Sequence, residues 1–302
     1  MKLSEFAELY VRTRSLGSGS IGQIRTAVSD ARSVLGDLKL IEFSELRIYR
    51  LYDQMASADL AQTRPARTLK WLRTLLKEAW RLRLIEELPR AWPKTTQPRR
   101  MPDAWTPQQV GRLYHVAVEQ PGRIGPHRAG DWWRAFLCVS WDTGLRVSQT
   151  MSLRLEDVDF HRHFLLVRYR RNSKSTHDQI KPLSTPTVKA IQAIVTPARE
   201  RVFDWPEWPR SRRDFFSTFR YLCILADIPA PRTQHGELTH KLRRSSISMA
   251  ALQSLEQARR HAGHTRAETT LRHYVDPRLL ACAAPAVPPL EKLNGNGQRK
   301  LF

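Results

Sequence analysis

The sequence predicts a mainly α-helical protein with a small antiparallel β-sheet, divided into a helical N-terminal domain and an α+β second domain. Apolar residues in the first hundred positions recur at helical spacing. A proline-rich stretch then breaks the pattern. Beyond it helical spacing resumes, interrupted by short β-like runs around a polar turn.

Phe6, Leu9 and Tyr10 follow Ser4 at helical spacing. Ser44 is placed to cap a segment carrying Leu46, Ile48, Tyr49 and Tyr52. Leu69, Leu72, Leu75, Leu76, Ala79, Trp80 and Leu84 form one broad apolar stripe. Arg67, Lys70, Arg73, Lys77, Arg81 and Arg83 occupy its other side, either as a solvated face or as a phosphate-binding one. Gly17-Ser18-Gly19-Ser20-Ile21-Gly22 matches G-x-G-x-x-G, but a helical pattern precedes it where a dinucleotide site needs a strand. It reads as a loose turn between helices. No phosphate-binding G-x-x-x-x-G-K-[ST] loop occurs.

Pro89, Pro93, Pro98, Pro102 and Pro107 crowd one segment with Lys94, Arg99 and Arg100. Prolines at that density end helices and central strands, so residues 89–105 are expected to be a basic linker. The expected divisions are a helical domain over 1–88, a second domain over 106–292 and a tail over 293–302. Thr106-Pro107-Gln108-Gln109 opens the second domain with a capping box and proline at the first helical position. Strands are expected at 158–159, 164–169 and 178–183, around Asn172-Ser173-Lys174-Ser175-Thr176. Phe215, Phe216, Phe219 and Leu222 resume helical spacing after a Trp-Pro loop at 204–209.

Composition narrows the function. Lys plus Arg total 50 against 29 Asp plus Glu in 302 residues, a formal net charge of +21, while hydrophobic residues make up 41%. A folded protein this basic points to a polyanion, with nucleic acid ahead of an anionic membrane surface. No apolar run approaches the ~20 residues of a membrane span. The start, Met1-Lys2-Leu3-Ser4-Glu5-Phe6, is unlike a signal peptide. The 3 cysteines include no C-x-x-C pair, which argues against a disulfide scaffold or zinc ribbon and suits a reducing cytoplasm.

Four segments collect unusual polar residues. Asp142-Thr143-Gly144-Leu145-Arg146-Val147-Ser148-Gln149 places a guanidinium at a helix entrance, beside free backbone N–H groups suited to an anion. Lys174 sits at the tip of the expected hairpin. Thr239-His240-Lys241-Leu242-Arg243 puts His and Arg on one helix face. In Gly263-His264-Thr265-Arg266-Ala267-Glu268-Thr269-Thr270-Leu271-Arg272-His273-Tyr274, Thr265 and Glu268 suggest a capping box, with His264 before a short helix and Tyr274 at its far end. Singly, each is as consistent with surface or core roles. His240, His261, His264 and His273 lack the H-E-x-x-H, cysteine cluster or carboxylate pair of a metal site.

In order, Arg, hairpin Lys, H-x-x-R, G-H and Tyr resemble the tyrosine recombinase (phage integrase) family over nearly the whole chain. Thr143-Gly144-Leu145-Arg146-Val147-Ser148 resembles the family's first box. Ser173-Lys174 precedes Pro182-Leu183, which resembles its strand-ending Val-Pro-Leu. Leu238 to Arg244 resembles the second box, and Ala262-Gly263-His264 with Thr269 to Tyr274 the third box and nucleophile helix. Departures are Gln149 in place of a common Glu, Ala262 in place of Leu, and no Gly within Ala251-Leu252-Gln253-Ser254.

The resemblance implies a helical core-binding domain and an integrase-type catalytic domain closing as a clamp around double-stranded DNA. It implies Arg146 and Arg243 as phosphate ligands, Tyr274 as nucleophile, Lys174 as general acid, His240 as acceptor of the tyrosine proton and His264 as a phosphate partner. Arg67, Lys70, Arg73, Lys77, Lys94, Arg99 and Arg100 become DNA-binding candidates. The implied enzyme is a site-specific recombinase working through a 3′-phosphotyrosyl link without metal, ATP or other cofactor. It would act as a homotetramer on two DNA sites, with possible tail exchange, in the cytoplasm at the nucleoid. Two alternatives are a type IB topoisomerase-like enzyme and a DNA-binding protein without catalysis.

Overall fold

Helix-forming periodicity governs both halves of the chain, and the proline-rich stretch separates them. A computed structural model describes residues 1–58, 63–95, 101–168, 178–196, 199–230 and 235–280. The described residues fall into two compact units that divide in sequence ahead of Met101.

The first unit holds α1 (Leu3–Thr13), α2 (Ser18–Leu35), α3 (Glu45–Ser57) and α4 (Thr63–Arg81). Their apolar stripes bury Phe6, Ile24, Ile48, Leu51, Leu72, Leu75 and Leu76 in one core. Ser44 caps α3 by accepting from the Arg47 N–H. Asp30 on α2 is buried against α4, where Arg64 Nη2 donates to Oδ1 at 2.6 Å and Thr68 Oγ1 to Oδ2 at 2.8 Å. That charge-assisted set fixes the register of the two helices.

Two expectations are corrected here. The glycine-rich run is not a loose turn: Gly17 is the N-cap of α2, and the following residues are its first turns. Neither Gly19 nor Gly22 has a neighbour that a Cβ would meet, so nothing there requires glycine flexibility. The apolar stripe of α4 also stops sooner than its spacing suggests. The helix ends at Arg81, and Trp80 and Leu84 are exposed.

Both flanks of the proline-rich segment are packed. Trp92 joins the first core, with its Nε1 donating to the Pro89 carbonyl at 2.8 Å. Trp105 is fully buried in the second core and donates from Nε1 to the Pro229 carbonyl at 2.8 Å. Residues 96–100, with Arg99 and Arg100, lie outside the described residues.

The second unit begins with α5 (Pro107–Val118), entered through the expected Thr106–Gln109 capping box. A short antiparallel hairpin follows, β1 (Arg123–Ile124) and β2 (His127–Arg128), then α6 (Ala129–Thr143) and α7 (Val147–Thr150). That hairpin was not expected, because two-residue strands carry no readable alternation. The expected sheet is β3 (Val158–Asp159), β4 (Phe164–Val167) and β5 (Gln179–Pro182), antiparallel in that order. It leads to α8 (Thr185–Gln192), α9 (Arg212–Leu225), α10 (His235–Ala251), α11 (Leu255–Ala262) and α12 (Ala267–His273). Trp132, Trp133 and Phe136 of α6 meet Phe203, Trp205, Phe215 and Phe219 in an aromatic cluster at the centre of the core. Trp132 stacks on Phe136 with centroids 5.5 Å apart. Helix α6 is thereby fixed, and its C-terminal end carries the Gly144–Arg146 turn. Among the described residues no helix is long and apolar enough to cross a membrane.

Asp30→Ala should destabilise the first unit by about 1–2 kcal/mol, because it strips the partners from Thr68 and from a half-exposed Arg64. Chemical denaturation reads this, and an unchanged midpoint contradicts it.

Candidate active site

Three segment ends converge on α10. The first is the turn after α6. Gly144 ends that helix in the left-handed region at φ 56°, and an added Cβ would stand 2.9 Å from His261 Nε2. Glycine is required there on both counts. Arg146 then becomes the N-cap of α7, and its backbone N–H donates to Gln149 Oε1 at 3.1 Å. Gln149, which departs from the pattern the resemblance expects, thus performs the N3 half of a capping box.

The second segment is the end of α11, where Gly263 is left-handed at φ 67° and a Cβ would run into the Gln179 side chain. His264 follows. Its carbonyl accepts from Arg259 Nη1 at 2.9 Å, and Arg259 is itself paired with Glu256. The third is α12 and Tyr274. The expected Thr265 cap is not used: Arg266 is the N-cap, and no side chain closes the helix start. Thr270 instead serves the interior, fully buried with its Oγ1 3.0 Å from His264 Nδ1.

Arg243 of α10 joins the first two segments. It is 2% exposed, with Nη1 donating to the Gly144 carbonyl and Nη2 to the Ala262 carbonyl at 2.7 Å. Its Nη2 also lies 3.4 Å from His264 Nε2. A guanidinium only donates, so Nε2 is the accepting nitrogen and Nδ1 carries the proton toward Thr270. Nε of Arg243 is buried without a partner among the described residues.

Tyr274 is the C-cap of α12 and is buried against Ile247, Ala258, Ala262 and Val275. The Arg243 guanidinium lies 5.0 Å from its ring centroid, and the His264 and His240 rings lie at 4.6 and 5.3 Å. Its backbone is held as well. Ser248 Oγ donates to the Tyr274 carbonyl at 3.2 Å and accepts from the Asp276 N–H at 2.9 Å. Asp276, 1% exposed, accepts from the Ala104 N–H at 2.9 Å and pairs with Arg278. Arg278 also pairs with Asp103, which accepts from Lys241 Nζ at 2.6 Å.

The electrostatics are those of a cation-rich pocket. Burial pushes the Tyr274 phenol up, but Arg243 and Arg146 outweigh it and hold the group below its ordinary value. Burial, reinforced by Arg146, presses Arg243 down to about 10. Burial with the charges of Arg243 and Arg146 holds His264 down at about 4, and burial with Lys181 and Arg243 does the same to His261. Both imidazoles are therefore neutral at neutral pH.

Of the sequence candidates, Arg146, His240, Arg243, His264 and Tyr274 come together in one site of one chain. Lys174 lies in the connection between β4 and β5, outside the described residues. Arg67, Lys70, Arg73 and Lys77 are exposed on α4 in the first unit; Lys70, Arg73 and Lys77 line one groove with Trp92, and the Arg73 guanidinium is 5.6 Å from that ring. Lys94 is exposed beside it. Sequence reasoning missed Lys181, Ser246 and Thr270. Only Lys181 carried a signal, a charge at an inward position of a strand. No group of three potential metal-ligating side chains occurs among the described residues.

This arrangement is one that can hold a phosphodiester between guanidiniums beside a phenol. The chain belongs to the phage integrase family, whose model matches residues 104–279. It is similar to the tyrosine recombinase XerA of Thermococcus kodakarensis, 28% identical over 57% of this chain and 58% of that protein. It is also similar to the tyrosine recombinase XerD of Mycobacterium tuberculosis, 30% identical over 47% of this chain and 44% of that protein. The match thus spans about half the length of these curated relatives. Among solved structures, a lambda integrase dimer bound to a core site shares the fold at TM-score 0.70, with 15% identity over 96% of this chain and 99% of that one. The Tn1549 transposon integrase in complex with circular intermediate DNA does so at 0.68, with 17% identity over 91% and 95%.

Two outcomes follow from the geometry. Gly144→Ala should cost about 1–3 kcal/mol of stability through its backbone conformation and the His261 contact, and a wild-type denaturation midpoint contradicts this. The second concerns pH. The unfolded chain protonates His261 and His264 from about 6.5 downward and the fold only near 4, so their contribution is complete above about pH 6.5 and lost toward pH 4. A denaturation midpoint of the second unit that does not fall across that window contradicts it.

Proposed function

We propose that the protein is a site-specific DNA recombinase that breaks and rejoins duplex DNA through a 3′-phosphotyrosyl intermediate. The observation that carries this reading is the phenol of Tyr274 set against Arg243 and Arg146, with both cations holding it toward ionisation.

A phosphodiester is anionic, and the pentacoordinate transition state of its displacement adds charge to the non-bridging oxygens. Arg146 and the unpartnered Nε of Arg243 are suited to receive that charge, because guanidiniums are fixed donors that need no reorganisation. Tyr274 Oη attacks phosphorus, the 5′-oxygen leaves, and the ester energy stays in the tyrosyl link. Reversal by a 5′-hydroxyl reseals the strand, so the chemistry requires neither ATP nor metal. His240, beside the Tyr274 ring, is assigned the phenolic proton. Lys174 is assigned protonation of the leaving 5′-oxygen. His264 orients Arg243 through Nε2 and can turn toward a bound phosphate.

The domains follow from this reading: a DNA-binding domain over 1–88, a linker over 89–105, a catalytic domain over 106–292 and a tail over 293–302, clamped on duplex DNA. Arg67, Lys70, Arg73, Lys77, Lys94, Arg99 and Arg100 are the proposed phosphate contacts. With a net charge of +21, binding should weaken steeply with salt. Four copies on two sites would complete the exchange of strands, with the tail as a candidate contact between neighbours. On this reading the protein works in the cytoplasm, associated with the nucleoid.

On a nicked duplex carrying the sequence that the protein selects from a random pool, the wild type should form a covalent protein–DNA adduct. Tyr274→Phe should bind equally and form none; an undiminished adduct rejects Tyr274 as nucleophile. Arg243→Ala should slow cleavage by more than about 10²-fold, and a loss under threefold removes it from the transition state.

A further inference from the structure

Strand β5 carries a lysine that the reaction does not use. Ile180 points outward at 68% exposure while Lys181 points inward at 3%. An ammonium buried so deeply is costly unless matched. Lys181 Nζ is matched by two successive main-chain oxygens, donating to the Arg260 carbonyl at 2.9 Å and the His261 carbonyl at 2.7 Å.

Those oxygens belong to the last turn of α11, where a helix leaves carbonyls short of intrahelical donors and where its dipole favours positive charge; the Arg260 carbonyl also accepts from the Gly263 N–H at 3.1 Å. The next one, Ala262 O, accepts from Arg243. Buried cations from β5 and α10 therefore take three consecutive carbonyls at one helix end. Immediately beyond are Gly263, against which Gln179 of the same strand packs, and His264. His261 in turn lies against Ser246 of α10, whose Oγ also reaches the Trp141 carbonyl of α6.

We propose that Lys181 is a positioning residue for strand cleavage: from β5 it fixes the end of α11, and with it the carbonyl that holds Arg243 and the turn that presents His264. The inference rests on the reading of this site as a strand-transfer centre. Lys181 does not touch the reacting atoms. Its influence passes through the Ala262 carbonyl to one guanidinium and through Gly263 to one imidazole. The charged groups facing it are Arg243 from α10, Arg260 and His261 from α11 and Asp142 from α6, Arg260 and Asp142 across a cavity also lined by Trp141 and Met249. Burial and Arg243 press the Lys181 ammonium down to about 7, so its charge lies close to balance at neutral pH. Its charge also opposes protonation of His264.

The test is Lys181→Met, which keeps the volume of the side chain and removes donors and charge. On the nicked duplex, single-turnover cleavage at saturating DNA should fall at least tenfold. DNA affinity should stay within twofold of wild type. By NMR the His264 imidazole should titrate higher than in the wild type. Should the Met variant not fold, Lys181→Gln is read by the same measures. Wild-type cleavage overturns the proposal, as does a loss of rate matched by an equal loss of affinity and melting temperature, which makes Lys181 a packing residue. The two readings fail separately. A wild-type protein that forms no adduct rejects the strand-transfer reading, whereas an adduct formed equally by both proteins rejects Lys181 alone.

Discussion

The site depends on one buried guanidinium. Arg243 enters from α10 with almost no exposure and spends its terminal nitrogens on the carbonyls of Gly144 and Ala262. Two chain segments far apart in sequence are drawn to one charge. A buried charge left without partners would be strongly destabilising, so the same bonds that hold the cation hold the loops. Its third nitrogen, Nε, has no partner among the described residues.

The surrounding structure follows from that constraint. Gly144 must adopt a left-handed backbone close to His261 for its carbonyl to face Arg243, and Gly263 must do likewise beneath Gln179. His264 is kept neutral by burial and by the cations around it, and so can accept from one of them. The phenol of Tyr274 sits in the same positive field, which opposes the cost of burying an ionised group. Its main chain is tied through Ser248 and Asp276 to the residues that open the second unit, Asp103 and Ala104. Tyr274 is therefore positioned by its backbone as well as by its ring.

Much of this could be read from the sequence, and what could not has physical reasons. The helices of both units, the Ser44 and Thr106 caps and the three-stranded sheet were visible because periodicity and capping are local. The boxes around Arg146, His240, Arg243, His264 and Tyr274 were visible as an ordered pattern, and the fold brings those side chains to one place. The G-x-G-x-x-G run misled because glycine signals a turn by default, yet it fits an exposed helix where nothing else competes. The α12 cap misled because Thr265 is a favoured N-cap by residue type, yet the helix begins one residue later, behind Arg266 and without a side-chain cap. Lys181 was illegible in role because its partners, the carbonyls at the end of α11, lie far away in sequence, and Ser246 and Thr270 because their contacts with the His261 and His264 rings depend on how neighbouring helices pack rather than on any local pattern.

The most direct test of the central claim is the ionisation of the Tyr274 phenol, followed by ultraviolet difference absorbance between the wild type and Tyr274→Phe. A midpoint below the ordinary value of about 10 is the result expected for a phenol held between Arg243 and Arg146. A midpoint at or above that value would mean that burial prevails over the cations, and the phenol proposed as nucleophile would not be activated by the site.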